Sequence, residues 1–266
     1  MSNLAVSIIQ TSLAWHNREA NLLRIEELIN KINTPTQLIV LPEMFSSGFT
    51  MEPHKVADTP NGEVTQWMQL MAAKKKAVIT GSVVVHDNGK YYNRLLWVLP
   101  DGTSLQYDKR HLFRMANENS FYDSGNSKLI ATINKWTICP LVCYDLRFPV
   151  WSRNFSSKNN TNSPLYDVLI YVASWPEVRS HAWKSLLVAR AIENQCYVIG
   201  VNRVGTDGNN ITYSGDSVII DPLGKVISNI LPNEENTETL SLDFDYLNKL
   251  RSTFPVINDA DSFTIE

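Results

Sequence analysis

Three polar side chains that could share one chemical step each stand directly after an apolar, strand-like run. Glu43 follows the run in LIVLPEMFSSGF, Lys109 follows SLQY in YDKRHLF, and Cys143 closes the run in CPLVCYDLRFPVW. A thiol can attack an electrophilic carbon if one neighbour takes its proton and another stabilises the oxyanion that forms. A carboxylate in a partly apolar pocket has a raised pKa, which suits a general base. A lysine ammonium can hold the oxyanion and favour the thiolate. In α/β proteins ligands collect in the crevice outside the carboxyl ends of the strands, where all three residues would stand.

Each residue also has a plainer reading. Free cysteine packs like a small hydrophobe, Glu43 alone reads as a surface-loop carboxylate, and Lys109 alone reads as solvated. Cys139 and Cys143 could form half of a metal site, but no second Cys or His pair lies at ligand spacing, so no metal is expected. Cys139 and Cys196 sit inside apolar runs and fit simple packing. Three cysteines are too few and too odd in number for a disulfide framework, and a reducing cytoplasm is the simplest setting. His111, His181 and the other histidines read as polar or packing residues. Arg190 and Glu193, three apart on a helical segment, read as a structural ion pair. Arg147 could hold a substrate carboxylate with its planar fork or pair internally with Asp145, and the internal pair is the expectation.

The elements that must position these residues alternate between strand and helix. LAVSIIQ (4–10), QLIVLPE (37–43), WTICPLVCYD (136–145), YDVLIYVAS (166–174) and CYVIGVN (196–202) read as strands. Residues 17–32, 63–76 and 181–195 carry helical apolar spacing. AVITGSVVVH, YYNRLLWVL and TSLQYD read as three further strands, the first two joined by a DNGK hairpin turn. SVIIDPLGKVI reads as a second hairpin turning at Pro222–Gly224, and the polar SSKNNTNSP (156–164) as a surface loop. The pattern suggests one α/β domain, residues 1–266, with two layers of sheet between helices.

Composition excludes several classes of partner. Hydrophobic residues at 44% and charged residues at 19% are ordinary for a soluble globular chain. The formal charge of −3 gives no electrostatic footprint for nucleic acid or an anionic membrane. Lys74–Lys76, the longest basic run, reads as a solvated helix end. No stretch approaches a membrane span, and MSNLAVSIIQTS does not read as a signal peptide.

The three segments LPEMFSSGF, YDKRHLF and LVCYDLRFP resemble, in order, the glutamate, lysine and cysteine motifs of the nitrilase superfamily of carbon–nitrogen hydrolases. ARAIENQCYVIGVNRVG and SGDSVIIDPLGKVI are similar to its downstream segments, so the resemblance runs nearly end to end. It implies a four-layer α-β-β-α sandwich, commonly paired into homodimers, and a Glu43–Lys109–Cys143 triad that needs no metal or organic cofactor. It also implies a second glutamate after the lysine motif, Glu118 in MANENSF, which would hold Lys109 and the substrate amide or water. The Tyr144 backbone N–H would join Lys109 in the oxyanion hole. FRMANENSFYDSGN and VASWPEVRSHAWKSLLVARAIENQ look most like the omega-amidase branch. The expected activity is therefore hydrolysis of the terminal amide of small 2-oxo dicarboxylic acid monoamides, such as 2-oxoglutaramate and 2-oxosuccinamate. Phe45, Phe113, Tyr144 and Trp175 would wall a small pocket, with Arg147, backbone amides or the Trp175 indole N–H facing the substrate carboxylate. Hydrolysis of N-carbamoyl amides or deaminated glutathione, or a non-catalytic assembly role, are the alternatives.

Overall fold

The computed structural model describes residues 3–155, 163–261 and 263–265. Most of the expected SSKNNTNSP loop, residues 156–162, lies outside the described residues.

The first sheet starts with β1 (Leu4–Gln10), which pairs in parallel with β2 (Leu38–Val40), itself parallel to β3 (Val78–Asp87). Helix α1 (Arg18–Lys31) makes the first crossover. The one-turn α2 (Pro53–Val56) and the longer α3 (Glu63–Lys75) make the second. Strand β3 turns directly into β4 (Lys90–Val98), with Asp87 opposite Lys90. Asn88 and Gly89 between them have φ of 50° and 77°, the positive values that a two-residue hairpin turn requires. Strand β5 (Ser104–Asp108) completes this edge.

The second sheet contains β6 (Ala131–Ile133), β7 (Trp136–Val142), β8 (Val168–Ala173) and β9 (Tyr197–Asn202). Strands β7, β8 and β9 run parallel, and β8 is buried along its whole length, which is why VLIYVA is an unbroken apolar run. The one-turn α4 (Pro149–Ser152) follows the Cys143 segment, and α5 (Ser180–Asn194) links β8 to β9. A two-stranded ribbon of β10 (Val204–Thr206) and β11 (Thr212–Ser214) precedes the edge strand β12 (Val218–Ile220). The segment after β12 turns through Asp221–Gly224 and returns as a single bridge at Val226 rather than a full second strand. Strand β13 (Asn236–Leu242) crosses back to pair antiparallel with β1, and α6 (Phe244–Thr253) closes the described core.

The sheet orders are β13-β1-β2-β3-β4-β5 and β12-β9-β8-β7-β6. Their facing sides share one core, in which Leu4, Val6, Trp97 and Tyr107 meet Ile138, Leu141 and Ile170. Helices α1 and α3 cover the other side of the first sheet through Ile25, Ile29, Met68 and Met71. Helix α5 covers the second through Trp183, Leu187 and Ala191. This is the four-layer α-β-β-α sandwich. Close approach of α5 depends on Gly200 in β9, where a Cβ would lie 2.6 Å from Leu187 and 2.8 Å from Trp183.

Candidate active site

The two sheets deliver polar groups to a common end of the sandwich. Glu43 leaves β2, and its backbone N–H reaches Ala173 O of β8 at 3.4 Å, across the seam between the sheets. The loop that follows is tied to β3, with Met44 N donating to Ser82 Oγ at 2.9 Å and Phe45 N to Ser82 O at 3.1 Å. Gly81 allows this, because a Cβ there would lie 2.8 Å from Leu41 Cβ. Lys109 follows β5, and its N–H donates to Asn93 O of β4 at 3.0 Å.

Cys143 ends β7 and begins a 3₁₀ helix over Cys143–Arg147, one turn earlier than the strand expected to run on to Asp145. Its φ of 43° is unusual for a residue with a Cβ and turns the thiol out of the sheet. Asp145 holds the turn. Its Oδ2 accepts from Val142 N at 3.1 Å and Tyr107 Oη at 2.7 Å, and its Oδ1 accepts from His111 N at 3.0 Å. His111 Nδ1 is a further 2.7 Å from that oxygen, and the ring stacks on Phe148. Buried Arg190 supports the same segment by donating to Leu146 O at 2.6 Å, and it pairs with Glu193 at 3.0 Å as the spacing predicts.

Lys109 is fully enclosed by the two glutamates. Its Nζ donates to Glu43 Oε1 at 2.9 Å and to Glu118 Oε1 and Oε2 at 3.1 and 3.0 Å. Glu118 is buried and also accepts from Phe113 N at 2.5 Å. The second oxygen of Glu43 accepts from Ser174 N at 2.7 Å. Asn93 Nδ2 donates to Glu43 at 2.8 Å and to Glu118 at 3.3 Å. Glu43 is also the charged group that acts most strongly on the Cys143 thiol.

Burial acts to lower the pKa of Lys109, but Glu118 and Glu43 outweigh it and hold the ammonium above its ordinary range. Burial, with Glu43 beside it, pushes Glu118 up, while Lys109 opposes the shift. Burial and then the Glu43 carboxylate push the Cys143 thiol well up, against a smaller pull from Lys109. Lys109 thus favours the thiolate, as its charge implies, while burial and Glu43 oppose it.

These groups open on a small cavity of about 60 Å³. Lys109, Cys143 and Ser174 line it together with Phe49, Phe113, Tyr144, Trp175 and Tyr213. The Tyr144 N–H lies in the first turn of the 3₁₀ helix, where no intrahelical acceptor is available. Several expectations need correction. Arg147 does not pair with Asp145, whose oxygens are occupied by Tyr107, His111 and Val142; its guanidinium instead lies 4.9 Å over the Trp175 ring at the cavity. The Trp175 indole N–H donates to Arg179 O at 2.9 Å and does not face the cavity as a free donor. Phe45 is buried under α3 beside Trp67 and does not line the cavity. Cys139 and Cys196 are fully buried outside it, and burial pushes Cys139 up to about 12. No His, Cys, Asp or Glu cluster among the described residues is arranged to hold a metal ion.

Sequence reasoning missed Asn93, Ser174, Phe49, Tyr213 and Arg179. Asn93 carried one weak signal, an amide inside the otherwise strand-forming YYNRLLWVL.

Comparison with known proteins agrees with this architecture. The carbon–nitrogen hydrolase family model matches residues 5–252. The chain is 44% identical over 265 residues to omega-amidase YafV of Escherichia coli (strain K12), covering all of both chains. It is 31% identical over 257 residues to 2-oxoglutaramate amidase of Bacillus subtilis (strain 168), covering 96% of each. The crystal structure of XC1258 from Xanthomonas campestris, a CN-hydrolase superfamily protein with an arsenic adduct in the active site, superposes over the full length of both chains. The TM-score is 0.96 at 41% identity. With the family model spanning nearly the whole chain and close relatives matching end to end, this protein belongs to the carbon–nitrogen hydrolase family.

Proposed function

We propose that this hydrolase is an amidase in which Cys143 is the nucleophile, Glu43 the general base and Lys109 the oxyanion partner. The observation that carries the reading is that Cys143 lines one cavity together with a Lys109 ammonium bound by two glutamates, of which Glu43 also acts on the thiol. Glu43 takes the thiol proton as sulfur bonds to the amide carbon. The oxyanion is held by Lys109 Nζ and the Tyr144 N–H. Glu43 then returns the proton to the departing nitrogen, so ammonia leaves and a thioester remains. Glu43 deprotonates water for attack on the thioester, and collapse of that adduct restores the thiol and releases the acid. Glu118 holds Lys109 and orients the amide or water.

The likeness to omega-amidase YafV and to 2-oxoglutaramate amidase supports a 2-oxo dicarboxylic acid monoamide as substrate. The small cavity also favours such amides over peptide-sized ones, and Arg147 at its wall suits their carboxylate. A single domain spanning residues 1–266, a homodimeric state and a cytoplasmic location complete the proposal. No helix among the described residues is long and apolar enough to cross a membrane. Sedimentation that finds only monomer would remove the dimer.

Ammonia release from 2-oxosuccinamate, 2-oxoglutaramate, glutamine, asparagine and propionamide tests the activity. The oxo acids should be cleaved at least tenfold faster in kcat/KM, about 1.4 kcal/mol of selective transition-state binding. Cys143→Ala and Glu43→Gln should each abolish turnover. Substantial activity in either variant would mean that the nucleophile or the base is wrong.

A further inference from the structure

Arg147 and Arg179 are the two arginines that line the cavity. Among the described residues neither forms an ion pair, whereas Arg94 pairs with Asp87 and Asp108 and Arg190 pairs with Glu193. Each instead lies over an aromatic ring of the wall. Arg147 is 4.9 Å above Trp175, and Arg179 is 5.3 Å from the centre of Phe113. Trp175 links them, since its ring supports Arg147 while its Nε1–H fixes the Arg179 carbonyl at 2.9 Å. A guanidinium stacked on a ring still presents its N–H edge, and two such edges at one cavity match a carboxylate.

We propose that Arg179, acting with Arg147, is a specificity-determining residue that grips the carboxylate of the substrate and rejects substrates bearing an ammonium group beside that carboxylate. The proposal rests on the amidase reading above and adds to it a residue and a reason for selectivity. The reacting amide lies at the Cys143 end, where Lys109 is already engaged by Glu43 and Glu118. The carboxylate of a short bifunctional substrate must then meet a different cation. A 2-oxo acid brings a monoanion to the two guanidiniums. An α-amino acid amide such as asparagine brings the same carboxylate with a cation attached, and two uncompensated arginines repel it.

Arg179→Gln and Arg179→Lys test this against 2-oxosuccinamate, propionamide and asparagine. The readout is the ratio of kcat/KM values, with thermal melting to confirm folding. In Arg179→Gln the 2-oxosuccinamate/propionamide ratio should fall at least tenfold, mainly through a higher KM for the oxo acid, because the lost contact is remote from the reacting bond. The 2-oxosuccinamate/asparagine ratio should fall as well. Arg179→Lys should recover part of both. Unchanged ratios overturn the proposal, as does a parallel loss on all three substrates, which would reduce Arg179 to a packing partner of Phe113. A wild-type enzyme with no preference for 2-oxosuccinamate over propionamide would instead remove the 2-oxo acid reading itself, and the grip with it.

Discussion

At the residue scale, Asn93 does what the triad alone cannot. Glu43 and Glu118 both lean on one ammonium, and two buried carboxylates that close repel each other. Asn93 Nδ2 donates to both and shares their charge. Asn93→Leu keeps the volume and removes the donor. Each carboxylate then loses a hydrogen bond to its charged form, worth about 1.5–3 kcal/mol. We expect kcat to fall by roughly 10- to 100-fold with the fold intact, and the acid limb of the kcat/KM profile to move to higher pH. A parallel loss of melting temperature and activity with an unmoved limb would make Asn93 merely structural. The Cys143 thiol gives a second prediction. Burial and Glu43 raise its pKa, and we expect the thiol to give its proton to Glu43 as it attacks. The kcat/KM profile should be flat from about pH 7.5 to 9, with no rising limb near the ordinary cysteine pKa of about 8.5. A rate that climbs through this range would point to a preformed thiolate. Glu43, Lys109 and Cys143 were legible because each follows a strand-like run and stands in a segment that resembles a family motif. Asn93 was not, because one amide in an alternating strand also fits the solvent side.

At the scale of elements, the strands and helices with strong periodicity were legible to within a few residues, as α1, α3 and α5 illustrate. The edges were not. Strand β13 reads NTETLSL, with a buried leucine only at its end, and it exists because β1 offers a partner from Leu4 to Gln10. Arg147 was misassigned for a related reason. Spacing alone put Asp145 within its reach, whereas the fold brought His111 and Tyr107 there first. The entry of β13 is fixed by Glu235, whose carboxylate accepts from Thr11 Oγ1, Ser12 N and Ser12 Oγ at 2.7–2.8 Å and from Arg24. Burial would raise its pKa, but Arg24 and the Ser12 and Thr11 donors hold it down at about 2. A depressed carboxylate stabilises the fold fully above its unfolded pKa of about 4.3, and that contribution is lost as pH falls toward 2. Glu235→Gln should therefore cost about 1 kcal/mol at pH 7 after solvent screening, near 2 °C in melting temperature. The gap from wild type should narrow between pH 5 and 3.5. A gap that stays constant over that range would mean that the charge contributes nothing.

At the scale of the whole molecule, the site belongs to neither sheet alone. Glu43, Asn93 and Lys109 come from the first sheet, and Cys143, Ser174 and Trp175 come from the second. The bonds from Glu43 N to Ala173 O and from Ser174 N to Glu43 Oε2 cross the seam. The same two sheets bury their facing sides in one core, from Leu4 and Trp97 to Leu141 and Ile170. Neither sheet can keep that face buried without the other, so separation of the sheets exposes the core and dismantles the site in one event. Activity should consequently be a reporter of global folding. In a urea titration, ammonia release, near-ultraviolet circular dichroism and far-ultraviolet circular dichroism should share one midpoint, as a single domain requires. Loss of activity well below the midpoint of both optical signals would instead mean that the cavity loops open before the sheets part. Two separated steps in the far-ultraviolet signal, with activity following the first, would mean that one sheet survives alone. That outcome would break the single-domain proposal, because the surviving sheet would have to hold its apolar face without the partner that covers it here.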